Sequence, residues 1–237
     1  MEQFAYFAQQ VGEHDWRGKY VLDFGGNIGN MLRDPHSTID PARYWCLDID
    51  TEALAQGKAA YPDAQWIFYD RYCFFFNPYG VRDLPLPRLD QRFDYIVAYS
   101  VFPNTGHRDL LQLVGQLEAL LTPGGALAFT FIDPHHRSWP SKFDGDNFLW
   151  RLERELGDVS GPAAQGMIAR ARRARWCLLV NAEELYVETD EIRAWPAELQ
   201  KSCHVYYTAE YMKSLFPRAE ILPPANNEMQ HCCVIRK

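Results

Sequence analysis

Val21-Leu22-Asp23-Phe24-Gly25-Gly26-Asn27-Ile28-Gly29-Asn30 is the stretch on which the reading of this chain turns. An apolar run breaks into a glycine-rich turn, as a buried strand does where it meets a ligand. A second apolar run ends in Cys46-Leu47-Asp48-Ile49-Asp50. A glycine turn followed by an acidic strand end is how doubly wound folds hold a nucleoside. The glycines let backbone approach the ligand, and the carboxylate takes the ribose hydroxyls.

Working outward, strands are expected at 19–24, 44–48, 65–69, 93–99 and 126–132. The fourth is nearly all apolar, as suits a strand buried on both faces. Asp50 is a good N-cap for a helix over 51–60. A helix over 107–121 carries Leu110, Leu111, Val114, Leu117 and Leu121 at helical spacing, and Thr122-Pro123-Gly124-Gly125 stops it. Residues 2–14 form an amphipathic helix with Phe4, Phe7, Ala8 and Val11 on one core-facing stripe. This alternation predicts an α/β, Rossmann-like, doubly wound sheet, mostly parallel.

After Asp133-Pro134 the strand–helix rhythm stops. Residues 134–207 read as an inserted cap: a helix around 146–157, an arginine-rich helical stretch, and a hairpin of Trp176–Val180 with Leu185–Val187. The sheet then resumes with a helix over 208–215 and strands at 218–222 and 230–235, which pair as an antiparallel C-terminal edge. Residues 1–237 are thus expected to form a single domain with an insertion at about 134–207.

Composition narrows the function classes. The 237 residues are 47% hydrophobic and 23% charged, an ordinary globular mixture. A net charge of −7 argues against a general nucleic-acid binder. Arg170-Ala171-Arg172-Arg173-Ala174-Arg175 is the one basic run, and Glu183, Glu184 and Glu188 nearby predict internal pairing on a solvated helix face. Six scattered cysteines form no Cys-x-x-Cys pair, so neither a zinc site nor a disulfide framework is expected. Met1-Glu2-Gln3-Phe4 shows no secretory leader, and no apolar run is long enough to span a bilayer. A reduced, cytoplasmic protein is expected, with its oligomeric state left open.

Five pieces in order, Val21–Gly29, Leu47–Asp50, Tyr69-Asp70, Phe93–Val97 and Leu121–Gly125, resemble class I S-adenosylmethionine-dependent methyltransferases. The resemblance covers 19–133 well and 208–236 more loosely, and 134–207 carry no motif of that family. It implies S-adenosylmethionine as cofactor, held by Asp23, Gly25, Gly26, Asn27, Gly29, Asp48, Ile49, Asp70 and Ser100. Gly25 and Gly29 match the turn that meets the methionine part, and Asp23 orders that turn. Asp48 matches the ribose carboxylate, Asp70 the adenine contact, and Ser100 the amino-acid end. Asn27 stands where the family has its middle glycine, and asparagine tolerates left-handed backbone better than other side chains. A nicotinamide enzyme would prefer G-x-G-x-x-G, and Gly25–Asn30 lacks the sixth-position glycine.

The reacting groups are less defined. The aromatic run from Tyr72 to Tyr79 follows the third strand, where rings attract a sulfonium cation, and Tyr72 and Tyr79 are its ligand-facing candidates. Asn104 and His107 sit beyond the fourth strand, where ligands bind in open sheets, and are candidates to orient an acceptor or take its proton. Asp133-Pro134-His135-His136 offers too few ligands for a metal, which leaves His135 as a candidate base. Three functions remain open. The first is methyl transfer to a small molecule of secondary metabolism. The second keeps the fold but cyclises S-adenosylmethionine itself to azetidine-2-carboxylate with release of methylthioadenosine, as a branch resembling this family does. The third binds the cofactor without turnover.

Overall fold

The computed structural model describes residues 2–74, 76–137, 145–191, 202–224 and 229–237. Phe75 of the aromatic run and the stretches 138–144 and 192–201 of the expected cap lie outside them.

A seven-stranded sheet organises the chain. Its strands are β1 (Val21–Phe24), β2 (Tyr44–Asp48), β3 (Gln65–Phe68), β4 (Phe93–Ala98), β5 (Leu121–Phe131), β9 (Glu220–Leu222) and β10 (His231–Arg236), in the order β3-β2-β1-β4-β5-β10-β9. The first five run parallel, and β10 is antiparallel to both β5 and β9. The sheet is therefore mostly parallel with an antiparallel pair at its C-terminal edge, where β10 lies one place in and β9 outside it. The order steps outward from β1 in both directions, so the β1/β4 boundary is the switch point beyond which such sheets bind ligands.

Alternation along β5 divides the core. Ala126 and Ala128 face the side covered by helix α1 (Gln3–Val11), while Leu127, Phe129 and Phe131 face the side covered by helix α4 (His107–Ala119). The α1 stripe is buried as expected, through Phe4, Phe7, Ala8 and Val11. Helix α4 departs from the expected pattern at two positions. Leu111 is exposed and Leu113 takes the buried place beside Leu110, Val114 and Leu117. Leu121 has left the helix and opens β5. The Thr122-Pro123-Gly124-Gly125 segment is carried inside β5 as an irregularity, with left-handed Gly124 and the register shifting between Phe93 and Tyr95. Lys237 pins it, accepting from the Gly124 amide and donating to the Gly125 carbonyl.

Between β5 and helix α7 (Ala209–Leu215) the chain builds helices α5 (Asn147–Leu156) and α6 (Pro162–Ala171) and a three-stranded antiparallel sheet, β7-β6-β8. The expected hairpin is β6 (Trp176–Val180) with β7 (Glu184–Val187), and β8 (Cys203–Tyr207) adds a strand on its other side. One face of this small sheet, through Trp176, Leu178, Val180, Val205 and Tyr207, joins the main core. The other face, through Cys177, Leu179 and Tyr206, packs on α5 and α6. The Tyr207 amide donates to the Ile132 carbonyl at the end of β5, so the two sheets share backbone as well as core. Three of the run's four arginines are engaged locally, Arg170 by the Leu185 carbonyl, Arg172 by Asp146 and Arg175 by Glu188, so of the expected glutamates Glu188 is the one that pairs with it among the described residues.

Candidate active site

The loops beyond the carboxyl ends of β1 to β4 line a half-open cavity of about 690 Å³. The glycine turn forms one wall. Gly25 has φ +77°, and a Cβ there would come within 2.4 Å of Val101 Cγ2, so the turn touches the loop after β4 directly. Its amide donates to the Leu47 carbonyl at 2.8 Å, tying the turn to β2 as well. Gly25→Ala is therefore expected to cost about 1–3 kcal/mol of stability through left-handed strain and overlap. Urea unfolding checks this, and G25A/V101A should recover only the part due to overlap.

Asn27 adopts φ +53°. In that left-handed conformation its amide donates to Asp48 Oδ2 at 2.7 Å. The Asp50 amide donates to Asp48 Oδ1 at 2.9 Å. Two backbone donors thus orient the Asp48 carboxylate at the cavity wall and leave its other lone pairs for a ligand diol. Burial nevertheless pushes its pKa above the usual carboxylate range. Asp50 also caps helix α3 (Thr51–Ala60), accepting from the Glu52 and Ala53 amides.

Of the nine residues expected at the cofactor, Gly25, Asn27, Asp48, Ile49 and Ser100 line this one cavity. Three others sit behind it. Asp23 is buried and accepts from the Tyr44 hydroxyl at 2.6 Å, and a Cβ on Gly26 would come within 2.6 Å of its carboxyl carbon. Gly26 is small because that carboxyl packs under the turn. Gly29 begins helix α2 (Asn30–Arg33) against the Trp66 ring. Asp70 departs further: it is exposed, accepts from Asn77 Nδ2 at 3.0 Å and is absent from the cavity wall.

The expected catalytic residues divide similarly. Tyr72 and Asn104 line the cavity. Tyr72 packs under Arg82, whose guanidinium lies 3.8 Å from its ring centroid. Tyr79 is turned out to solvent, 79% exposed. His107 is removed from the cavity by aromatic packing. Its ring stacks on Trp176 at 4.8 Å and on Tyr211, whose hydroxyl lies 3.0 Å from Nε2, and burial holds its pKa below the usual histidine value. With Asp190, which accepts from the His107 and Arg108 amides, and Tyr207, which donates to the Thr105 carbonyl, it clasps the small sheet to the start of α4. His135 is exposed and absent from the cavity wall, and its backbone amide donates to the buried Asp133 carboxylate.

Several cavity residues carried no local signal. Arg71 is buried in the wall, and its guanidinium is shared among the Leu84 carbonyl, Asp109 and Gln112. An arginine inside an aromatic run was the only hint of it. Gln3 and Tyr99 also reach the cavity, and Gln230, just before β10, meets Ser100.

Residues 22–127 match the methyltransferase domain family. None of the curated proteins matches the chain. Among solved structures it is similar to an amino pentose methyltransferase, CalS10, from Micromonospora echinaspora, at 15% identity and a TM-score of 0.55, covering 99% of this chain and 90% of that one. It is also similar to the glycopeptide N-methyltransferase MtfA bound to S-adenosylmethionine, at 14% identity and a TM-score of 0.53 over 100% and 93% of the two chains. A third, an S-adenosylmethionine-dependent methyltransferase from Mesorhizobium loti, shares 17% identity and a TM-score of 0.50 over 99% and 98%. The fold is that of class I methyltransferases, and the matched stretch contains most of the cavity wall.

Proposed function

We propose that this protein is an S-adenosylmethionine-dependent methyltransferase acting on a small molecule of the natural-product type. The observation that carries the reading is one cavity joining the left-handed turn at Gly25 and Asn27, the oriented Asp48 carboxylate and the Ser100–Asn104 loop, on a stretch matching the methyltransferase domain family. The residues suit the cofactor. The absence of a side chain at Gly25 lets the turn pack directly on Val101 at the cavity wall, and Asp48 keeps acceptor capacity for two hydroxyls.

When bound, S-adenosylmethionine supplies an electrophilic methyl carbon on a positively charged sulfur. The chain's part is to hold, align and dry that group. Asp48 would accept from the ribose hydroxyls. Tyr69 and Phe74 line the cavity beside Tyr72, one of whose faces Arg82 already covers, and an aromatic face that meets a cation attracts it by about 0.5–2 kcal/mol. Asp48, Asp50 and Glu52 on the same wall make the cavity electronegative, which favours a cationic ligand. The small-molecule acceptor is supported by a cavity of about 690 Å³ and by the named substrates of the structural neighbours, a glycopeptide and an amino pentose. Three of the four arginines of the run are engaged within the protein, which leaves little of it for nucleic acid. Among the described residues no helix is long and apolar enough to cross a membrane. A reducing, cytoplasmic setting belongs to this reading, supported by six cysteines that are all free thiols.

The test is incubation with S-adenosylmethionine, alone and with a library of amine- and hydroxyl-bearing small molecules, with products identified by mass spectrometry. S-adenosylhomocysteine appearing only with an acceptor is the expected outcome. Methylthioadenosine with a cyclic amino acid, formed from the cofactor alone, would replace methyl transfer by cyclisation. Tight binding with no turnover across the library would sink the enzymatic reading.

A further inference from the structure

We propose that Thr130 and Gln230 are positioning residues that make the Ser100 hydroxyl a committed hydrogen-bond donor to a ligand carboxylate. The inference rests on the S-adenosylmethionine reading, in which that carboxylate belongs to the methionine end of the cofactor.

Ser100 follows β4 with φ +57°, a left-handed conformation uncommon for serine. Both of its backbone groups are committed. Its amide donates to Thr130 Oγ1 at 2.7 Å, and its carbonyl accepts from Asn104 Nδ2 at 2.9 Å. Thr130 is fully buried and, having accepted from Ser100, sends its own proton to Gln230 Oε1 at 2.6 Å. That bond fixes the buried amide of Gln230, oxygen toward Thr130 and nitrogen toward Ser100. Nε2 then donates to Ser100 Oγ at 3.2 Å. An amide nitrogen cannot accept, so Ser100 Oγ is the acceptor in that contact. Its remaining proton finds no acceptor among the described residues, and Ser100 lines the cavity. Hydrogen-bond direction thus passes from the Ser100 amide through Thr130 and Gln230 back to the Ser100 hydroxyl, and emerges as a single donor facing the ligand.

A donor is what this wall needs. Its acidic members repel a carboxylate, and the guanidinium of Arg71 is already taken by Leu84, Asp109 and Gln112. A hydroxyl whose direction is set by buried partners recognises a carboxylate without adding a cation beside the sulfonium.

The experiment compares the calorimetric affinity of the whole protein for S-adenosylmethionine and for its decarboxylated analogue. Wild type should prefer the carboxylate-bearing ligand by about tenfold or more, the scale of one hydrogen bond to a charged group. Ser100→Ala, Gln230→Met and Thr130→Val should each bring the two affinities together by weakening S-adenosylmethionine alone. Thr130→Ser keeps the hydroxyl and should keep the preference, so the pair at 130 decides the matter even if Gln230→Met fails to fold. Equal weakening of both ligands, or an unchanged preference in Thr130→Val, overturns the proposal while leaving cofactor use intact. A wild type that binds neither ligand overturns the cofactor reading and this proposal with it.

Discussion

Asp48→Ala is expected to weaken S-adenosylmethionine binding by about 2–3 kcal/mol, roughly 30- to 150-fold. Two losses combine. The first is the charge-assisted hydrogen bond to the ribose, worth about 1.5–3 kcal/mol. The second is the order of the wall itself, because the carboxylate holds the Asn27 amide at 2.7 Å and the Asp50 amide at 2.9 Å. Without it, Asn27 loses the partner that rewards its left-handed conformation. Asp48→Asn separates the two effects. It keeps an oxygen for one backbone amide but loses the charge and puts a donor where the other amide points, so an intermediate loss is expected. Calorimetric titration, with circular dichroism to confirm folding, is the measurement. A folded Asp48→Ala that binds as tightly as wild type would show that the ribose is held elsewhere.

The Asp48 wall was legible because its parts are local. A buried strand, a glycine turn and an acidic strand end each leave a pattern over a few residues, and Asn27 stood out as the irregular member. The α-turn spacing was legible too, but one residue of phase is beyond it: Leu111 and Leu113 are both leucines, and only packing against β5 chooses Leu113. Strand β8 went unread because its partner β6 lies across the cap and residues 192–201 separate it from the hairpin. Side-chain direction was the least legible property. Asp70 and His107 occupy the expected rim, yet Asn77 holds one at the surface and the rings of Trp176 and Tyr211 draw the other into the packing beneath the small sheet. The Ser100–Thr130–Gln230 ring joins residues from β4, β5 and the approach to β10, and only the sheet order brings them together.

Asp23→Asn is expected to stabilise the protein by about 2–4 kcal/mol at pH 8 and to flatten its dependence on pH. Asp23 is 1% exposed, and burial, with the charge of Asp48 adding to it, outweighs the Tyr44 hydrogen bond and pushes its pKa up to about 7. In the unfolded chain the same carboxyl titrates near 3.8. Between those values the folded state keeps a proton that the unfolded state has released. Stability is therefore full below about pH 4, falls as pH rises toward 7 and levels off above it. Asparagine removes the buried charge while its amide oxygen still accepts from Tyr44. His231 pulls the opposite way: burial lowers its pKa to about 4, so its contribution grows as pH rises from 4 toward the ordinary histidine range. The wild-type profile alone therefore mixes these with other buried groups, Asp48, His107 and His204 among them, and the difference between wild type and Asp23→Asn isolates the carboxyl. Thermal or urea unfolding at pH 5, 6.5 and 8 reads it. Parallel profiles, with the variant weaker throughout, would mean that Asp23 is ionised and stabilising in the folded protein. The expected result, a variant that gains most at high pH, identifies Asp23 as a strut under Gly26 whose shape the turn uses and whose charge it does not need.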